Sequence, residues 1–106
     1  QGFRKLYEQV DVIVAPSITA PAVTAGTDSI TWPNGREESL MSAYTRFAVP
    51  GNVTGLPAMS VPCGFTENGL PIGFQAIGRP FDESTVLRLG AAYEAATDWH
   101  QRRPDI

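Results

Sequence analysis

The apolar positions of this 106-residue chain change period several times, and each change marks an expected element. Phe3, Leu6, Tyr7 and Val10 recur at helical spacing with Arg4, Lys5 and Glu8 between them, which predicts a short amphipathic helix over residues 2–9. Val12-Ile13-Val14-Ala15 is instead an unbroken apolar run closed by Pro16, the pattern of a strand covered on both faces. From Pro16 to Arg36 neither period persists, so the segment is expected to be a long loop holding one Trp32-Pro33-Asn34-Gly35 turn. Loops of that length are uncommon in a compact domain unless they are functional or packed on something else, which hints at a partner surface. Leu40, Ala43, Tyr44 and Phe47 then share one stripe, predicting a helix over 37–47 that ends before Pro50.

Period 2 returns twice. Met59, Val61 and Cys63 alternate with Ala58, Ser60 and Pro62, and Ile72, Phe74 and Ala76 alternate with Gly73, Gln75 and Ile77. The Asn68-Gly69 pair between these runs supplies the positive φ of a tight reversal, so an antiparallel hairpin is expected. Pro62 lacks a ladder donor, which places its strand at an edge or puts a bulge at that point. Val86, Leu89, Gly90, Tyr93, Ala96 and Thr97 form the last stripe, a helix over about 82–98 started by Asp82 or Ser84. Gly90 and its neighbouring alanines would let that helix lie close to the sheet.

Nine prolines and ten glycines cut the chain into short elements, which favours a sheet-containing architecture over a helical bundle. A chain of this length makes one domain at most, with roughly two-thirds of its unfolded surface buried. Its net charge of −3 and lack of a basic cluster beyond Arg102-Arg103 exclude a nucleic-acid or anionic-lipid footprint. The lone Cys63 makes no internal disulfide, and no run of some 20 apolar residues is present, so a reducing cytoplasm is the expected compartment and no membrane is involved. The chain opens at Gln1 as if inside a helix, and its natural start is expected elsewhere.

Candidate chemistry is sparse. His100, the only histidine, reads as a solvated helix-end residue, and Cys63 as a small buried hydrophobe with nothing to lower its pKa. Glu37 and Glu38 point in different directions on a helix and read as a solvated first turn, not an acid/base dyad. The six serines, at 17, 29, 39, 42, 60 and 84, lie in neither a Gly-x-Ser-x-Gly nor a Ser-x-x-Lys arrangement, and Lys5 is the only lysine. The glycines make no phosphate-binding pattern. From the residues alone, the chain is a small α/β piece with a shaped loop; no catalytic residue, metal ligand or cofactor is expected.

The run Pro50-Gly51-Asn52-Val53-Thr54-Gly55-Leu56-Pro57-Ala58-Met59-Ser60-Val61-Pro62-Cys63-Gly64-Phe65, continued by Gly69-Leu70-Pro71-Ile72-Gly73-Phe74-Gln75-Ala76-Ile77-Gly78-Arg79-Pro80, resembles the C-terminal signature of the amidase family. Asp11-Val12-Ile13-Val14-Ala15-Pro16 resembles the family's preceding strand. The resemblance implies a fold class: α/β, the C-terminal part (1–106) of a single amidase-signature domain, with strands of a mixed sheet flanked by helices. It also implies hydrolysis of a carboxamide C–N bond by a Ser-cis-Ser-Lys mechanism whose residues lie upstream, Lys5 not matching the family's lysine. The implied partners are a small amide substrate, the remainder of the domain and, for the isolated piece, copies of itself.

Residues 44–55 would form one side of the substrate cleft, with Thr45 and Asn52 as candidate substrate contacts. Bracing of the loop is the ordinary alternative for Asn52, and bracing is likewise the alternative to substrate contact for Gln75. In the related glutamine-hydrolysing component of tRNA-dependent amidotransferases an aspartate holds the amino group of glutamine. An ungapped alignment puts Thr45 there, and a neutral hydroxyl offers no charge-assisted bond to an ammonium. That favours a general amidase over the glutamine-hydrolysing component. A reading of another class is a non-catalytic binding or assembly module on the same scaffold.

Overall fold

The computed structural model describes residues 2–105, which form helix α1 (Gly2–Leu6), strands β1 (Val12–Pro16), β2 (Ser29–Thr31) and β3 (Glu37–Ser39), helices α2 (Leu40–Thr45) and α3 (Val49–Thr54), strands β4 (Ala58–Phe65) and β5 (Pro71–Gly78), helix α4 (Glu83–Ala96) and a 3-10 turn, Trp99–Gln101. Three strands make the main sheet in the order β1-β5-β4, every pair antiparallel, and β2 pairs with β3 in a separate hairpin. Among the described residues no helix is long and apolar enough to cross a membrane.

The expected hairpin over residues 58–78 is present. Gly69 takes φ 83°, and the amides of Gly69 and Leu70 both donate to Thr66, to its carbonyl and its hydroxyl respectively. Both devices expected of Pro62 occur: β4 is an edge strand, and the register shifts between Pro62 and Gly64, leaving Cys63 in a bulge. Cys63 is half-buried there.

Residues directly opposite in an antiparallel ladder share a face. Val61 opposite Phe74 and Met59 opposite Ala76 therefore mark one face, and Ser60 opposite Gln75 and Ala58 opposite Ile77 mark the other. Helix α4 covers the first. Phe74 meets Tyr93 edge-on with centroids 4.9 Å apart. A Cβ on Gly90 would lie 2.2 Å from Met59 Cε, and one on Gly78 would lie 2.5 Å from Val86 Cγ2. Helix and sheet thus approach closely because two positions carry no side chain. The chain enters α4 through Phe81, whose φ of 60° is rare for a non-glycine residue and whose ring is 95% exposed.

The opposite face is covered in part. The Tyr7 hydroxyl donates to the Ile77 carbonyl at 2.9 Å, and burial beside it raises the Tyr7 pKa, with the Arg79 charge acting against the rise. Arg79 Nη2 ties α1 down by donating to the carbonyls of Tyr7 and Val10 and pairing with Asp11. Residues 43–57 cover part of the rest. The radius of gyration, 15.6 Å, exceeds the roughly 13 Å typical of an independent domain of this length, so the chain is more open than such a domain.

Four expectations need correction. Strand β1 is not covered on both faces: it lies at a sheet edge, and its Val14 is 57% exposed. The helix over 37–47 begins only at Leu40, because Glu37–Ser39 pair with Ser29–Thr31 as β3, and Ser39 Oγ caps the shortened helix by accepting from the Ser42 amide. The loop over 16–36 is correspondingly interrupted by β2, turned back through the Trp32–Gly35 reversal with Gly35 at φ 80°. Finally, Pro50-Gly51-Asn52, expected in a loop after the helix, lies within α3: Pro50 sits in the first turn, where a missing amide hydrogen is harmless, and Gly55 ends the helix at φ 67°.

Candidate functional site

Where residues 43–57 cross the second sheet face they leave a hollow of about 360 Å³, bordered by Ser17, Asn52, Leu56, Ala58, Ser60 and Gln75. Each comes from a different piece of logic. Ser17 follows β1 and is held by its amide, which donates to the Gly73 carbonyl at 3.0 Å. Ser60 and Gln75 are a cross-strand pair of the hairpin, and Asn52 is carried by α3. The Ser17 and Ser60 hydroxyls lie 2.6 Å apart. A side chain at Gly73 would press on this pair, its Cβ falling 3.1 Å from Ser17 Oγ. On the far side of the pair a second, more apolar hollow of about 540 Å³ runs between Pro16, Pro21 and Ile72.

Gln75 organises the first hollow. It is 8% exposed, and its Nε2 donates to the Pro16 carbonyl at 3.1 Å and the Phe47 carbonyl at 2.8 Å. One buried amide group therefore joins the end of β1 to the connection between α2 and α3. Bracing, the ordinary alternative for this residue, is present.

Asn52 borders the hollow, and among the described residues its side chain makes no hydrogen bond, so the expected tie to loop amides is absent. Thr45 is not among the lining residues. It ends α2 with its hydroxyl donating back to the Met41 carbonyl at 2.8 Å, two positions before the Phe47 that Gln75 holds.

Among the described residues no ionisable side chain borders this hollow, so its chemistry is that of neutral hydrogen bonding beside apolar surface. Charge collects elsewhere. Glu38, expected on a solvated helix turn, sits on β3 and accepts from Arg46, Trp32 Nε1 and Ser42 Oγ, which hold its carboxyl down to about 2. The Thr85 and Ser84 hydroxyls donate to Asp82 and lower its pKa in the same way. His100 departs from the expected solvated tail: it is half-buried in the 3-10 turn, and its Nδ1 is buried with no partner among the described residues. Among the described residues no three of His, Cys, Asp and Glu gather as a metal site would require.

The Ser17–Ser60 pairing joins residues 43 positions apart and has no local signal in the sequence. Without a base beside it, this pair has no means of becoming a nucleophile. The hollow therefore offers neutral polar groups beside apolar surface, and none of the described residues bordering it is ionisable.

The amidase family profile matches residues 1–87. The chain is 50% identical over 102 residues to an amidase of Pseudomonas putida, covering 96% of this chain and 22% of that protein. It is 47% identical over 107 residues to the A component of the glutamyl-tRNA(Gln) amidotransferase of Synechococcus sp. (strain JA-3-3Ab), covering 100% of this chain and 19% of that one. Among solved structures, a crystal structure of amidase superposes with a TM-score of 0.82 at 28% identity, over 89% of this chain and 21% of that one. The 6-aminohexanoate cyclic dimer hydrolase complexed with substrate gives 0.75 at 31% identity, over 96% and 22%. The chain thus spans about a fifth of the length of these relatives. On the strength of the profile match, which takes in the strand, hairpin and hollow described above, the chain belongs to the amidase family.

Proposed function

We propose that these 106 residues act as the C-terminal part of one amidase domain and form one wall of the cleft in which a carboxamide C–N bond is hydrolysed. The observation that carries this is the neutral hollow between α3 and the hairpin, in a chain of the amidase family. In this reading a serine elsewhere in the polypeptide attacks the amide carbonyl, the amine leaves, and water releases the acid. Asn52, which borders the hollow, and Thr45, which does not, are the two substrate contacts of this reading. The rest of the domain covers apolar side chains that are open here, Met41 at 76% and Val53 at 79% exposure among them. An isolated copy would use the same surface to self-associate. The protein works in the cytoplasm on a small amide, with no nucleic acid or membrane directly engaged.

The second reading, the glutamine-hydrolysing component of a tRNA-dependent amidotransferase, is supported by the 47% identity to the Synechococcus protein. The neutral Thr45 weighs against it, since an ammonium group would gain no ion pair there.

Labelling with a fluorophosphonate serine probe, followed by mass spectrometry, tests the proposal on the 106-residue chain and on the gene product extended upstream. Labelling of the extended protein alone is the expected result. Labelling of the short chain would mean that one of its own serines is the nucleophile, and labelling of neither would favour a binding module.

A further inference from the structure

Gln75 has a second polar atom that the fold does not use. Both hydrogens of its Nε2 are committed to the carbonyls of Pro16 and Phe47, and this fixes which way round the amide lies. Its Oε1 must therefore point away from both carbonyls. Among the described residues no donor reaches that oxygen, and the one buried side-chain nitrogen or oxygen lacking a partner is His100 Nδ1. Gln75 Oε1 thus retains access to open space, although the residue as a whole is 8% exposed. The space that Gln75 borders is the hollow beside Asn52 and Ser60.

We infer that Gln75 Oε1 is a fixed acceptor that recognises an N–H or O–H donor on the molecule bound in this hollow. This rests on the amide-cleavage reading for the identity of that molecule, which would be a primary or secondary carboxamide presenting its N–H toward β5. The acceptor is pre-oriented by two hydrogen bonds behind it, so binding costs little side-chain entropy. A buried carbonyl left without a donor is penalised, so a ligand that brings none is discriminated against. Asn52 and the Ser17–Ser60 pair supply adaptable polar groups around it, able to donate or accept, whereas Gln75 can only accept.

The test pairs two ligands with three proteins: benzamide and N,N-dimethylbenzamide, against the wild type, Gln75→Met and Gln75→Glu. Binding is measured by calorimetry on the gene product extended upstream, and nuclear magnetic resonance follows the Gln75 side-chain amide in the wild type. Benzamide is expected to bind the wild type about tenfold more tightly than its dimethyl analogue and to shift the Gln75 signal, and the preference is expected to vanish in Gln75→Met. Gln75→Glu loses the two bracing donors but keeps an acceptor, and should retain a preference for benzamide.

An equal preference in the wild type and Gln75→Met, no preference in the wild type, or its loss in both variants alongside a lowered Tm would each overturn the assignment and leave Gln75 as a brace. Serine-probe labelling of the same samples separates this from the wider reading. A ligand preference without labelling would sink the hydrolase proposal and leave the Gln75 assignment standing; labelling without preference would do the reverse.

Discussion

The two faces of the central sheet are built differently. On the face under α4, small residues and large ones alternate across the contact: Gly90 receives Met59, Gly78 lies beneath Val86, and Phe74 meets Tyr93. On the other face, polar side chains hold the chain at single points, as Tyr7 does at Ile77 and Gln75 at Phe47, and the space between stays open as the hollow. Close packing makes a rigid layer, and point attachment leaves room for a ligand. The lesson is that the sheet's close packing and its open hollow sit on opposite sides.

That contrast can be broken most severely from the packed side. Gly78→Val should destabilise the chain by about 3 kcal/mol, because the new side chain meets a stiff β-branched neighbour and the backbone. A Cβ there already lies 2.5 Å from Val86 Cγ2 and 3.3 Å from the Asp82 carbonyl. Chemical denaturation measures the loss. Gly90→Ala should cost less, about 1–2 kcal/mol, since its obstacle is the end of a flexible methionine. Combining it with Met59→Val should recover part of that loss in the same measurement.

The β2–β3 hairpin lies away from both faces and gives a smaller effect. Trp32→Phe removes one donor to Glu38 and should cost about 1 kcal/mol. The same cluster has a pH signature. Glu38 is held near 2 in the folded state, below the ordinary value of 4.5, so folding favours its charged form. Its contribution is complete above about pH 4.5 and is lost as pH falls toward 2. Thermal melts of wild type and Glu38→Gln should therefore differ at neutral pH and converge in strong acid. Smallest of all, Val53→Ser on the exposed side of α3 should change stability by less than about 0.5 kcal/mol in the isolated chain. A larger loss would show that α3 already packs against something, and would erase the contrast between the faces.

Much of the packed side was legible beforehand. The alternation over 58–76, the Asn68-Gly69 reversal, the demand Pro62 makes on its strand and the stripe with Gly90 are local signals, and local sterics answer them in the same way wherever the segment lies. The open side was legible only in part. Residues 37–39 carry no pattern that separates a first helical turn from a short strand; pairing with 29–31, itself hidden in an apparent loop, decides it. Pro50 looks like a terminator, yet a proline in a first turn is compatible with the helix that follows. Asn52 and Gln75 stood out as residues of interest, whereas Ser17 and Ser60 did not, because nothing in either neighbourhood announces the other.

Composition, periodicity and turn chemistry alone determined that this is a small α/β chain with an antiparallel hairpin and a close-lying final helix, since these properties depend on near neighbours. Tertiary structure alone decided which sheet face would stay open and which way the Gln75 amide would point. Both depend on carbonyls and hydroxyls brought together from 28 to 59 residues away, and the energy of such contacts exists only once the chain has folded.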